Sequence, residues 1–240
     1  MISKNEVKYI QTLYHKKTRD EEGLFIAEGP KLVNELIEAG FDIRKLYALP
    51  AWVEQHKEIK EATSITETEL NRISALQTSN QIVAILAKPV VNGEPVAEGR
   101  LSLVLDAIQD PGNLGTIIRI ADWFGIYQVI AGEGTADVYG PKVVQATMGS
   151  IARVKVWYKN LDEWLAKATV PVYGALLNGE DINKTGKIRQ GLLVIGNEGR
   201  GIANNLLPFI QHRLAIPAKG GAESLNAAVA TGIILSHLVE

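Results

Sequence analysis

Three short segments of this chain concentrate residue types that bind and process a small ligand. Residues 106–125 read DAIQDPGNLGTIIRIADWFG, residues 196–201 read GNEGRG, and residues 217–226 read PAKGGAESLN. In the first, Pro111 and Gly112 form a turn and Asn113 reads as the N-cap of a helix starting at Leu114. Arg119 then falls about one and two-thirds turns beyond that cap. The second places Asn197 and Glu198 between Gly196 and Gly199, directly after the apolar run LLVI. Turn chemistry alone does not explain a carboxylate at the mouth of a buried strand. The third carries Ser224 and Asn226 ahead of a long apolar helix, and Gly220 and Gly221 let backbone amides approach a ligand closely. Taken singly, each has a plain structural reading: Asn113 as a cap and Arg119 as a solvated helix residue, a glycine-rich turn, a serine N-cap. Converging, they would supply amide, guanidinium, carboxylate and hydroxyl groups to one pocket.

Other chemistries lack their residues. The chain has no cysteine, which removes disulfides, zinc ribbons, iron–sulfur clusters and thiol nucleophiles. No G-x-G-x-x-G occurs; the nearest run, GEGTAD at 132–137, lacks the third glycine. There is no P-loop, and Ser150 has no nucleophile-elbow context. His15, His56, His212 and His237 are scattered without ligand spacing, so no metal site is expected.

The elements that must position the three segments read as alternating strands and helices. LSLVLDA (101–107), QVIA (128–131), VPVYGALL (170–177), LLVIG (192–196) and HRLAIP (212–217) are short and nearly all apolar. Such strands are buried on both faces, as in a parallel sheet flanked by helices. Helical patterns fall at 114–124, 140–148, 160–168 and 223–238. In a sheet of this kind ligands bind at the carboxyl ends of strands, where the three segments lie. Upstream, the pattern predicts a helix over 5–17, a strand at 24–29, an amphipathic helix stopped by Gly40, a strand at 43–49, a helix opened by Pro50 and a strand at 81–86.

The chain has 240 residues, 46% hydrophobic and 22% charged, ordinary for a folded protein. KPVVNGEPVAEGR (88–100), with two prolines and two glycines, reads as a linker region. We therefore expect a module over 1–90, a linker over 91–100 and a larger domain over 101–240. No run approaches the roughly 18 apolar residues of a membrane span, and the polar start MISKNEVKYI does not resemble a secretory signal. A cytoplasmic protein is expected. The net charge of −2 argues at first against a nucleic-acid partner. Locally the picture differs, because residues 1–19 hold Lys4, Lys8, Lys16, Lys17 and Arg19 against only Glu6.

Taken together, the three segments resemble the signature motifs of the SpoU (TrmH-type) RNA ribose methyltransferases of the SPOUT superfamily. Asp110 through Gly125 follows the first motif, D-P-x-N-x-G-x-I-x-R-x-A-x-x-F-G, at every fixed place; Gly196-Asn197-Glu198-Gly199 resembles the second; Ile216-Pro217 followed by Ser224-Leu225-Asn226 resembles the third. QATMGSIARVKV (145–156) resembles the stretch between motifs one and two. The first half resembles a small ribosomal-protein-like α/β domain that binds RNA. Ala218, where Met is common, and Asn80, where Gly is common, depart from the pattern. The resemblance implies a parallel SPOUT sheet with a C-terminal trefoil knot, an exception to the usual absence of knots. It implies S-adenosyl-L-methionine as methyl donor and a homodimer whose active site draws on both subunits. The implied reaction is transfer of a methyl group to a ribose 2′-hydroxyl of rRNA or tRNA, by in-line displacement that depends on alignment. Arg119 is implied at that hydroxyl, with its part in deprotonation left open because an arginine is an awkward base. Asn113, Glu198, Ser224 and Asn226 would shape the reaction centre, and Gly196, Asn197, Ile216, Leu225 and Leu176 would line the cofactor. Lys8, Lys16, Lys17 and Arg19 would contact RNA. Base methylation by a related knotted fold and a non-catalytic RNA-binding role are the alternatives.

Overall fold

The computed structural model describes all 240 residues, which divide into two compact units. The first comprises Met1–Val90 together with Asp137–Ala152, and the second comprises Val91–Ala136 and Arg153–Glu240.

In the first unit, α1 (Lys4–Thr12) is capped by Ser3, whose hydroxyl accepts from the Glu6 amide at 3.2 Å. The expected single helix over 5–17 is two. The chain turns at Leu13–His15, where Leu13 is buried and the Tyr14 hydroxyl donates to the Ile73 carbonyl at 2.6 Å, and α2 (Lys16–Glu22) follows. Next come β1 (Leu24–Glu28), α3 (Pro30–Glu38), β2 (Ile43–Ala48), α4 (Pro50–Gln55), β3 (Ala62–Ser64), α5 (Glu67–Ile73) and β4 (Ile82–Ala87). The sheet order is β1-β4-β2-β3, antiparallel except for the β2–β3 pair. Ile10, Leu13, Ile26, Tyr47, Leu70, Ile73, Val83 and Ile85 pack as its core. The unsuspected α5 opens with a capping box: Thr66 Oγ1 accepts from the Glu69 amide, and Glu69 Oε2 accepts from the Thr66 amide at 2.9 Å.

The same unit includes a helix from much later in the chain, Pro141–Thr147, which packs on β1. Just ahead of it, the Tyr139 ring lies 5.0 Å from that of Phe25, and Asp137 receives the buried side chain of Arg19. The segment closes tightly at Gly149, with φ +96° and the Glu35 carboxylate where a Cβ would stand.

The second unit holds β5 (Leu101–Leu105), α6 (Pro111–Trp123) and β6 (Gln128–Ala131). The Pro141–Thr147 helix, α7 in chain order, intervenes before β7 (Lys155–Tyr158), α8 (Leu161–Leu165), β8 (Val172–Asp181), β9 (Gly191–Ile195), β10 (His212–Ala215) and α9 (Ala227–Leu238). Six strands run in the order β10-β8-β9-β5-β6-β7 and every pairing is parallel. Every residue of β5, β6 and β9 is buried, as continuous apolar runs require in a sheet covered on both faces. On one face Val104, Ile130, Val172, Leu192 and Val194 pack against Leu161, Leu165, Ile202, Leu206 and Ile210. Residues 91–100 form no regular element, yet Pro95 and Ala97 are buried and the Val96 carbonyl accepts from Gln128 Nε2 at 2.7 Å. β8 extends past its expected end at 177. Its pairing with β10 jumps from Gly174 opposite Arg213 to Glu180 opposite Leu214, so residues 175–179 bulge out of the ladder.

Candidate active site

Because all six strands are parallel, the loops after β5, β9 and β10 leave the same edge of the sheet. Side chains from those three loops meet. Asn113 Nδ2 donates to Glu198 Oε1, and Asn113 Oδ1 accepts from Asn226 Nδ2 at 2.8 Å. One amide therefore ties the first segment to both others.

The local structure explains why Asn113 is free to do this. It is not the helix cap expected above; that role belongs to Asp110, whose Oδ1 accepts from the Asn113 amide at 2.8 Å, with Pro111 in the first helical position. Asn113 thus sits inside the first turn with its side chain unclaimed by its own helix. At the third loop, Asn226 rather than Ser224 caps α9, accepting from the amides of Ala228 and Val229 at 3.0 and 3.3 Å. Its Oδ1 serves the helix while its Nδ2 serves Asn113. Ser224 lies in the exposed stretch before the helix and makes no hydrogen bond.

The second loop is braced from within. Asn197 Oδ1 accepts from the amides of Gly199 and Arg200 at 3.0 and 3.2 Å, and its Nδ2 donates to the Ala107 carbonyl at 2.9 Å. Its backbone pairs with Gly201 in both directions, at 3.1 and 2.9 Å. All the hydrogen-bonding groups of Asn197 are thus engaged inside the protein, which makes it the brace of the turn rather than a side-chain ligand. Gly196 admits no side chain, since a Cβ would collide with the Gly201 carbonyl carbon. A second tie joins the edge where Asp106 Oδ2 accepts from the Ala203 amide at 2.7 Å.

Apolar side chains border these loops. Ile216 is half-buried, and Leu225 is exposed at 45%. Leu176 packs partly inward against the core, so Leu177 (78% exposed) presents the free apolar surface at the bulge of β8. The sequence reading missed Leu177 because neighbouring residues of a strand face opposite ways and only the register decides which faces out.

Arg119 does not join the Asn113 group. It is exposed, without a hydrogen-bond or ionic partner, on the stripe of α6 that also carries Thr116 and Trp123, the latter 84% exposed. The amino-terminal cations separate as well. Lys8 is exposed and unpaired, and Lys16 and Lys17 lie near Asp20 and Glu21 at 3.5 and 3.9 Å. Arg19 is only 3% exposed; its Nη2 and Nε meet Asp137 Oδ2 at 2.7 and 3.3 Å, and its Nη1 donates to the Leu13 carbonyl. A guanidinium enclosed in this way does not reach an external phosphate, so Arg19 leaves the expected RNA-contacting set. No helix of the chain is long and apolar enough to cross a membrane.

A parallel sheet with three polar loops joined at its carboxyl edge, in a chain that also carries a smaller α/β module, is the architecture of a ligand-binding α/β enzyme. Residues 100–236 match the model of the SpoU rRNA Methylase family and residues 4–84 that of the MRM3-like substrate binding domain. The chain belongs to the SpoU rRNA Methylase family. It is 34% identical to the 23S rRNA (guanosine(2553)-2'-O)-methyltransferase RlmP of Bacillus subtilis (strain 168), over 98% of this chain and 97% of that one. Among solved structures it resembles a putative RNA methyltransferase of the TrmH family from Porphyromonas gingivalis, at 41% identity and TM-score 0.88, covering 99% and 98% of the two chains. An AdoMet-bound rRNA methyltransferase from Sinorhizobium meliloti aligns at 32% identity and TM-score 0.88, covering 99% and 95%.

Proposed function

We propose that this protein transfers a methyl group from S-adenosyl-L-methionine to a ribose 2′-hydroxyl of ribosomal RNA. The observation that carries the reading is the Glu198–Asn113–Asn226 group, which joins all three motif loops at the edge where such a sheet binds ligands, in a chain of this family. The site suits this cofactor: Leu177 and Leu225 expose apolar surface for a nucleoside face, and residues 217–226 are exposed throughout. Gly196, Ile216 and Leu225 would line it, and when bound it supplies an electrophilic methyl group.

The chain's own residues align the acceptor. The Arg119 guanidinium has five N–H donors and no acceptor, so it donates to the ribose hydroxyl and its neighbouring phosphate and orients them. Asn113 holds Glu198 and Asn226 in fixed register, which keeps the loops preorganised for an in-line approach. Ser224, free of internal bonds, offers its hydroxyl to the same centre.

A homodimer completes the site. Arg119 lies outside the Asn113 group but shares its stripe with the exposed Trp123, so a second copy covering that stripe would bury the indole and bring Arg119 to its partner's cofactor. The C-terminal segment forms the trefoil knot of the family. Residues 1–90, joined by 137–152, act as the RNA-holding module, 91–100 as the linker and the rest of 101–240 as the methyltransferase domain, working in the cytoplasm. Lys8, Lys16 and Lys17 keep their place as RNA contacts.

The test combines calorimetry with methyl transfer. Folded protein should bind S-adenosyl-L-methionine, and unmodified ribosomal RNA should acquire one nuclease-resistant 2′-O-methyl position in its presence. No binding and no transfer by a well-folded protein would overturn the reading, and a methylated base instead of a ribose would favour the related base-modifying chemistry.

A further inference from the structure

We propose that Arg200 is a positioning residue that grips an RNA backbone phosphate beside the reaction centre; the proposal rests on the methyltransferase reading above. The turn that carries Arg200 is held from several directions. Asn197 Oδ1 receives the Gly199 and Arg200 amides, Asn197 and Gly201 pair through both backbone groups, and Asn197 Nδ2 reaches the Ala107 carbonyl beyond β5. Gly196 packs its Cα so closely against Gly201 that no Cβ fits between them. A turn with so many restraints does not drift.

Its two charged residues behave oppositely. Glu198 turns its carboxylate inward to Asn113, while Arg200, two residues on, is exposed and has no hydrogen-bond, ionic or ring partner. Only the Arg200 backbone amide takes part in the turn, so the geometry demands no arginine there. What the site holds is a guanidinium with all five donors unused, carried on a braced backbone two residues from a carboxylate of the proposed centre. A planar fork of donors on a rigid mount is suited to bidentate capture of a phosphate oxygen pair, and the short reach from Glu198 makes the flanking phosphate of the modified nucleotide the fitting one.

Arg200→Ala and Arg200→Lys separate this role from others. Loss of the guanidinium should raise KM for RNA about 5- to 20-fold with kcat held within about two-fold. The slope of log Kd for RNA against log salt should fall by about 0.7, the share of one single-strand phosphate. Arg200→Lys should recover part of the KM and all of the slope, since the charge remains but the fork is lost. Affinity for S-adenosyl-L-methionine, melting temperature and sedimentation should stay at wild-type values, because the side chain touches nothing internal. An unchanged KM and slope would overturn the proposal. So would weakened cofactor binding, which would place Arg200 on the cofactor carboxylate, or a shift to monomer, which would place it at a subunit contact. Failure of the methyltransferase reading itself would show instead as a wild-type protein without transfer.

Discussion

Arg19 gives the clearest quantitative test of how the first unit is held together. Its side chain is 4% exposed and that of Asp137, 118 positions away in sequence, 13%. Nη2 and Nε both point at Asp137 Oδ2, Nη1 donates to the Leu13 carbonyl, and Asp137 Oδ1 accepts from the Tyr139 amide at 3.0 Å. Removing one member of such a pair leaves the other charge buried and uncompensated, which costs about 3 to 5 kcal/mol. Asp137→Ala and Arg19→Ala should each lose roughly that much. Replacing both together, Arg19→Met with Asp137→Leu, should lose much less than the sum, because apolar pairs of similar volume often match a buried ion pair. Urea unfolding followed by Trp52, buried in α4, reports on this unit. Hydrogen exchange over 137–152 shows whether the helix comes loose. The salt dependence of RNA binding should be the same in Arg19→Met as in wild type. An Asp137→Ala protein that loses less than about 1 kcal/mol, or an Arg19→Met protein whose salt slope falls by about 0.7, would refute the reasoning and return Arg19 to the RNA surface.

Three further outcomes are expected. Asn113→Ala keeps the Asp110 cap of α6, so stability should fall by only about 1 to 2 kcal/mol, while kcat/KM in the methyl-transfer assay drops about 100-fold as the three loops lose their common tie. Gly196→Ala places a methyl group against the Gly201 backbone and should cost about 1 to 3 kcal/mol by thermal melting, with cofactor binding lost as the turn shifts. Burial, reinforced by Asp137, pushes the Tyr139 hydroxyl up to about 12. The unfolded chain ionises near 10, so the stability this group contributes is complete below about pH 10 and is lost between about 10 and 12. Tyr139→Phe should give a visibly shallower alkaline limb in denaturant titrations across that window, leaving the slopes from Tyr9, Tyr14, Tyr47 and Tyr173, also raised by burial.

The motif loops were readable because glycine, asparagine and charge interrupt otherwise unbroken apolar runs, and strand burial followed directly from those runs. The cap of α6 is ambiguous in sequence because Asp110 and Asn113 are both good caps; Pro111, which favours the first helical position, decides for Asp110. The Thr66-x-x-Glu69 pattern is a capping-box signature that marks the start of α5 independently of apolar periodicity. KKTRDEE contains no apolar residue, so no periodicity marks α2 as a helix. Its spacing does show Lys16 and Lys17 four residues before Asp20 and Glu21, which already tempers the basic excess counted over residues 1–19. Nor does PKVVQAT (141–147) carry a mark of its destination. Its buried Val143, Val144 and Thr147 suit any apolar surface, and the long-range partners Arg19, Phe25, Glu35 and Lys88, which meet its flanking residues, direct this stretch to the first unit.

The membership of Asp137–Ala152 in the first unit has a consequence for biosynthesis. A ribosome releases β1 to β4 early, but the anion that neutralises Arg19 and the helix that covers β1 emerge only after β5, α6 and β6 have been made. The nascent module therefore waits, with a buried-to-be cation and an uncovered strand, while the next unit begins to assemble. Its maturation is a late event that closes contacts more than a hundred residues apart, which slows folding and leaves the unfinished chain open to chaperones or to aggregation. A gene fragment ending at residue 90 would never supply the missing piece, whereas co-expression of a peptide spanning 137–152 would offer it in trans.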